Sequence, residues 1–200
     1  GVDDYVDLGN SINLGLNTFT LECMVKTLLP NVSQNLISKS ISGDGGKGFA
    51  MIIQGSDNDL FPDGGIVANI DDANNDAKLY YFNPINNNEG YHLASVFDRD
   101  LGMGYLYLNG DLVYEENISN VQDDINANIN LIFGAHSEDQ SWSVLNGELD
   151  NIKIWNKALN ENELNGELDS FQGLVGHWKF NTGSGEILYD HSGNGNHGTI

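Results

Sequence analysis

The strongest constraint on this chain is a strict two-residue alternation of apolar and polar side chains, first clear where Phe19, Leu21, Cys23 and Val25 interleave with Thr20, Glu22, Met24 and Lys26. Successive side chains of a strand point to opposite faces, so this pattern predicts a strand with one face in a core and one toward water. The same period runs through Tyr91, Leu93, Ser95 and Phe97, through Tyr105 and Tyr107 against Leu106 and Leu108, and through Ile129, Leu131 and Phe133. Further strands are expected over 36–39, 49–54, 65–70, 78–82, 149–154 and 174–180. Asn109-Gly110 is the dipeptide favoured in type I′ hairpins, because both residues tolerate positive φ, and it joins 105–108 to 112–115.

One short helix is expected after Leu159, where Asn160 can cap and Glu163 can reach back to the first turn. Many strands separated by Gly and Asn turns, such as Asn86-Asn87-Asn88, and no βαβ alternation predict an all-β, two-sheet antiparallel sandwich. The length and the 40% apolar content suit a single domain over 1–200.

Charge narrows the partners. Twenty-nine Asp and Glu against 8 Lys and Arg leave a formal charge of −21, a field that repels phosphate backbones and anionic headgroups. Nucleic acid and membrane insertion are therefore not expected, and no apolar run approaches the ~18 residues of a spanning helix. Bound divalent cations relieve such self-repulsion, and calcium is the expected cofactor. The one cysteine, Cys23, falls on an apolar strand face and reads as a buried thiol. The chain opens at Gly1, so it is expected to be an excised fragment whose export signal, if the parent is secreted, lies outside it.

The opening GVDDYVDLG (Gly1–Gly9) followed by FTLECMVKT, then GYHLASVFDRD, GYLYLNGDLV, LIFGAHSEDQ and NGELDNIKIWNKALNENEL, in that order, resembles the concanavalin A-like, laminin-G-type jelly roll, related to pentraxins. Met24 departs from it, standing where a Trp-Val-Lys triplet is common. The tail 173–200 resembles a segment that related domains carry at their beginning, so it is either a permuted strand or the start of a next repeat. Packing on this same sandwich is favoured, because Leu174, Trp178 and Phe180 would otherwise face water. The resemblance implies an extracellular, secreted or cell-surface, non-catalytic recognition or adhesion module that binds polysaccharide or glycoprotein glycans beside neighbouring domains. A structural spacer repeat and a degenerate glycoside hydrolase are its alternatives.

Catalysis is not expected. Retaining glycosidases on related jelly rolls place two carboxylates about 5–5.5 Å apart. Glu148-x-Asp150 and Glu167-x-Asp169 imitate the first half of the Glu-x-Asp-x-x-Glu strand, but Lys153 and Gln172 stand where the second Glu belongs. No compact histidine spacing, nucleophile elbow or phosphate loop occurs.

The candidate calcium ligands come from three places. The resemblance pairs Asp150 with Asp3 or Asp4 near the N-terminal strand, and it likens Glu138-Asp139-Gln140 to a pentraxin calcium loop, with Asp44, or Asp57 and Asn58, to complete it. Asp190-x-Ser192-x-Asn194-Gly195-Asn196 alternates oxygen side chains before a glycine, as either a cation loop or a self-capped Asx turn. For ligand contact, Trp142 is the leading candidate, since an indole among Gln140, Ser141 and Ser143 in a loop must pack or bind; Gln140 and Asp44 would accompany it. Tyr80 and Tyr81 are further exposed-ring candidates, whereas Trp155 and Trp178 read as core.

Overall fold

The computed structural model describes residues 4–43, 46–55, 63–85, 88–167, 170–181 and 184–200. Among them, two antiparallel sheets face each other. The larger has eight strands in the order β13 (Ile187–Leu188), β14 (Gly198–Thr199), β1 (Val6–Asp7), β10 (Ile132–Phe133), β3 (Gln34–Ile41), β4 (Lys47–Gln54), β5 (Gly65–Asp72) and β6 (Asp76–Tyr81). The smaller has six, in the order β12 (Leu174–Trp178), β11 (Gly147–Trp155), β2 (Phe19–Thr27), β7 (Tyr91–Asp98), β8 (Met103–Leu108) and β9 (Asp111–Asn117). This is the two-sheet sandwich that the alternation predicts and the jelly roll that the resemblance implies.

Its core is built by that alternation. Leu21 of β2 pairs with Ser95 of β7 and Ile154 of β11, and these face Met51, Ile53 and Ala68 from the larger sheet in one apolar cluster. Cys23 is buried there, its Sγ 3.8 Å from the Met51 sulfur, and burial pushes its thiol pKa up, so it stays protonated. The hairpin turn has Asn109 and Gly110 at φ 52° and 88°, the left-handed pair that type I′ requires. The helix α1 (Glu161–Leu164) carries the capping box: Asn160 Oδ1 accepts from the Glu163 amide at 3.2 Å, and the Asn160 amide donates to Glu163 Oε2 at 3.1 Å.

Two local readings change, and one packing feature is new. The β2 strand is half-buried only in its second half: Thr20 and Glu22 on its other face are sealed, whereas Met24 and Lys26 reach solvent. The segment after β11 folds back over the six-stranded sheet, where Trp155, Leu159 and Leu164 pack on Ala94, Val96 and Tyr107. Thr20 Oγ1 anchors that cover, donating to the Lys157 carbonyl at 2.8 Å and accepting from the Leu159 amide at 3.1 Å. The expected strand through Ile129 begins only at Ile132, since the Ile129 carbonyl accepts from Lys39 Nζ at 2.9 Å instead of joining the ladder. Lys39 itself points inward from β3 opposite Phe49, and burial pulls its ammonium pKa down to about 8.

The tail supplies the outermost strands of both sheets. β12 pairs with β11, and the β13–β14 hairpin pairs with β1. Trp178 is fully buried, edge-on to Phe133 with ring centroids 5.0 Å apart, and its indole donates to the Asn196 carbonyl at 2.7 Å. Glycine is required at 176, where a Cβ would lie 2.0 Å from the Trp178 ring.

One core group is mismatched. The Ser95 hydroxyl is buried without a hydrogen-bond partner. An unpaired buried hydroxyl costs about 1–3 kcal/mol, so Ser95→Ala is expected to raise the melting temperature by a few degrees in a thermal scan. A lowered one would mean that the hydroxyl has a partner.

Candidate functional site

The register of the eight-stranded sheet fixes which side chains point away from the core, although Asn35, Ser38, Ala50 and Val67 among them are themselves covered. One row runs Asn35, Ile52, Val67, Tyr80 across β3 to β6, and the next runs Ser38, Ala50, Asn69, Lys78. Two features rise from this face: a loop along β3 and aromatic rings at the β6 edge.

The loop lies between β10 and β11. It leaves Gly134, doubles over the face and returns to the start of β3, where the Asn35 amide donates to the Ser143 carbonyl at 2.7 Å. Ser137 pins it: its Oγ lies 3.0 Å from Ser38 Oγ, accepts from the Ser40 amide at 2.9 Å and donates to the Ser40 carbonyl at 2.7 Å. Glu138 Oε2 accepts from the Ser42 amide at 2.7 Å, and this bond holds its carboxyl below the usual range. Asp139 Oδ1 accepts from Ser141 Oγ at 2.6 Å and from the Ser141 amide at 2.9 Å, with the same effect on its pKa. Gln140 turns inward to donate to the Ser137 carbonyl at 3.0 Å. Three of the residues expected to bind metal or ligand thus brace the loop.

What they brace is Trp142. Its amide donates to the Asp139 carbonyl at 2.9 Å and its carbonyl accepts from the His136 amide at 3.2 Å. The indole is 56% exposed, with the His136 ring 5.8 Å away. Desolvation keeps the His136 imidazole below its ordinary pKa, favouring the neutral ring. The result is a large aromatic surface, open to solvent, on a loop tied at both ends. Asp44, Asp57 and Asn58, expected near this loop, lie outside the described residues.

At the far side of the face, Tyr80 stacks on Phe82 with centroids 5.5 Å apart, and Tyr114 of β9 meets them edge-on at 5.8 and 6.5 Å. Phe82 is 50% exposed. Tyr81, expected beside Tyr80 as an exposed ring, instead packs against the core, because adjacent strand residues face opposite ways.

Asp150 and Asp4 both line a cleft of about 600 Å³ at the sandwich edge, together with Tyr5, Glu148, Phe180 and Ile200. Asp150 Oδ1 already accepts from the Asn151 and Phe180 amides at 2.7 and 3.2 Å, and Glu148 Oε1 accepts from Lys26 Nζ at 2.8 Å. Asp3 lies outside the described residues. At Asp190 the carboxylate takes four donors, the amides of His177, Ser192 and Asn196 and the Ser192 hydroxyl, all at 2.8–3.0 Å. Burial raises its pKa, but these bonds outweigh it. Of its two readings, the geometry matches the self-capped turn. Among the described residues no three His, Cys, Asp or Glu side chains gather as a metal cage. Calcium takes six to eight oxygens, and Glu138, Asp139, Asp150 and Asp190 already spend carboxylate oxygens on hydrogen bonds within the protein.

A buried polar cluster escaped the sequence reading. Glu22, 2% exposed, accepts from the Trp155 indole at 2.6 Å and has Lys153 Nζ at 3.4 Å and His92 Nε2 at 3.1 Å. Lys153 occupies the position where a second catalytic Glu would stand, and its ammonium is committed to Glu22.

A family model described as the concanavalin A-like lectin/glucanases superfamily matches residues 1–165. No curated protein matches the sequence. Among solved structures, a Bacteroides ovatus protein whose carbohydrate-binding role is itself an inference superposes with a TM-score of 0.76 at 17% identity, over 98% of this chain and 55% of that one. The chain thus spans about half the length of that protein. The heptameric SAP-like pentraxin of Limulus polyphemus gives 0.57 at 15% identity, covering 86% and 85% of the two chains. The CBM40 of Ruminococcus gnavus IT-sialidase, bound to α2,3 sialyllactose, gives 0.56 at 18%, covering 76% and 82%. At such identities the likeness is one of fold.

Proposed function

This chain belongs to the concanavalin A-like lectin/glucanase superfamily, and from that premise we propose that it is a non-catalytic recognition module that binds glycans on the outer face of its eight-stranded sheet. The observation that carries the reading is Trp142, an exposed indole on a loop that spends four polar side chains on holding it in place. An aromatic face beside polar groups suits a pyranose ring, which presents C–H bonds on one face and hydroxyls at its rim, and a prefixed loop lowers the ordering cost of binding. The R. gnavus domain with sialyllactose bound supports the same use of this sandwich. We further place the module outside the cell, as part of a larger surface or secreted protein. No helix among the described residues is long and apolar enough to cross a membrane.

Calcium enters this reading as a stabiliser at the Asp4–Asp150 cleft or the Glu138 loop, with the remaining oxygens to come from backbone carbonyls and residues outside the described set. Native-state metal binding would add stability by mass action.

A glycan array on the full chain, with calcium and then with chelator, tests both parts. A bound subset of glycans is expected, weakened about tenfold or more by Trp142→Ala at an unchanged melting temperature, as for an exposed hot-spot aromatic. Silence across the array favours the structural spacer, and turnover of a glycan would restore the hydrolase. A melting curve that ignores chelator removes calcium and leaves the glycan reading intact.

A further inference from the structure

Resting on the glycan reading, we propose that Asn35 is the specificity residue of the Trp142 site and that it selects a 2-acetamido sugar, accepting the N–H of the acetamido group. The observation that carries this is a buried acceptor with nothing to accept. Asn35 points away from the core, opposite Ile52 of β4, yet it is only 2% exposed, and its Oδ1 has no hydrogen-bond partner among the described residues. Burying an amide oxygen unpaired costs the folded state the full desolvation of that group. Ser95 has the same defect, but it lies on the core face between Leu21 and Leu106, whereas Asn35 lies against the Trp142 loop.

The returning half of that loop covers it. The Asn35 amide donates to the Ser143 carbonyl at 2.7 Å, and Ser143 follows Trp142 directly. Ser143 stands at φ 48°, in the left-handed region that a serine adopts only at a cost. The side-chain braces of the loop, Ser137, Glu138, Asp139 and Gln140, all precede Trp142. A turn of Ser143 toward the extended region therefore opens the slot over Asn35 while the indole stays held through its backbone bonds to Asp139 and His136. One movement then relieves two unfavourable features, the strained serine and, once a donor arrives, the orphaned oxygen.

The chemistry of the slot selects the donor. A pyranose stacked on Trp142 carries its C2 substituent at the rim of the ring. A hydroxyl there would satisfy Asn35 Oδ1 but bury its own oxygen unpaired, whereas an acetamido N–H is a donor only and its carbonyl can stay in water. The acetamido methyl has an apolar neighbour in Ile52, with Val67 next in the same row. The charged side chains of the loop are the carboxylates Glu138 and Asp139, so the sugar that it takes is a neutral one.

The test is calorimetric titration of the full chain with two matched pairs, N,N′-diacetylchitobiose against cellobiose and methyl N-acetylgalactosaminide against methyl galactoside. In at least one pair the acetamido sugar is expected to bind about tenfold tighter or more, the worth of one buried hydrogen bond. Asn35→Leu keeps the side-chain volume and removes the orphaned oxygen, so it should bring that pair within about twofold of each other without lowering the melting temperature. In the parent, the Asn35 side-chain NH2 resonances should shift with the acetamido sugar and stay in place with its partner. Equal affinities within both pairs, a preference that survives Asn35→Leu, or an array ligand beside no binding in either pair overturns the proposal and leaves the glycan reading standing. A fall of several degrees in the melting temperature of Asn35→Leu would give the oxygen a partner within the protein and overturn it as well. If no glycan on the array binds, the glycan reading falls and this one with it.

Discussion

Trp178→Ala is expected to destabilise the protein by about 3–5 kcal/mol, the range for truncating a fully buried tryptophan. In a chain of this size that is a fall of roughly 10 °C in melting temperature. The indole fills the space between the sheets against Phe133, and its N–H is one of several bonds, with those from Asn194 and Asn196 to the Val175 carbonyl, that tie the strand β12 to the 190–196 turn of the same tail. Its loss therefore opens a cavity and frees the segment that lies along β11 and β1. Limited proteolysis should then cut within 173–200 before the rest of the sandwich. A variant that melts within a degree or two of the parent would show that the tail is not part of this core, and would favour the reading of it as the start of a next repeat.

Glu22→Ala should be nearly as damaging, at about 3–5 kcal/mol, because removing one partner of a buried ion pair strands the other. Lys153 would keep its charge at a site that is only a quarter exposed, and the Trp155 indole would lose its acceptor. Glu22→Gln keeps an acceptor for the indole and should cost less. The pH dependence follows from the same geometry. Burial pushes the Glu22 carboxyl up, but the His92 bond, the Lys153 charge and the Trp155 bond outweigh it and hold it below the usual carboxylate range. A carboxyl depressed on folding contributes stability that is complete above its unfolded value of about 4.3 and is lost as pH falls through the folded one. The stability of the parent minus that of Glu22→Gln should therefore shrink below about pH 4. A difference independent of pH between 3 and 6 would remove the ion pair from the explanation.

The two-sheet frame was legible because each of its signals is local. Alternation in β2 and β7, Asn109-Gly110 in the hairpin and Asn160 with Glu163 at the helix all act over a few residues. The burial of Glu22 was not, because its cover and two of its partners come from Lys153 onward, more than a hundred residues away in sequence. Lys39 was missed for a related reason: a lysine closing a strand reads as solvated, and only the fold brings Asn10 and the Ile129 carbonyl to its ammonium.

The site was legible in part. Trp142 stood out as a costly residue in a polar loop, but Glu138, Asp139 and Gln140 around it look alike as metal ligands or as braces, and their hydrogen bonds to Ser42, Ser137 and Ser141 separate the two roles. Choosing between Tyr80 and Tyr81 needed the strand phase, which the core contacts of Leu79 and Tyr81 supply. Phe82 meets Tyr114 across the sandwich, and that strand is the edge of the other sheet, so the contact is a product of the fold and not of local sequence.

Backbone amide mapping by NMR, titrating the full chain with the tightest-binding glycan of the array, bears most directly on where recognition occurs. Shifts should concentrate on the 136–143 loop and on Ile52 and Asn69 beside it, with the Trp142 indole N–H moving most. Shifts confined to the cleft around Asp4, Glu148 and Asp150, or to the opposite sheet around His92 and Lys153, would contradict binding on the outer face of the eight-stranded sheet.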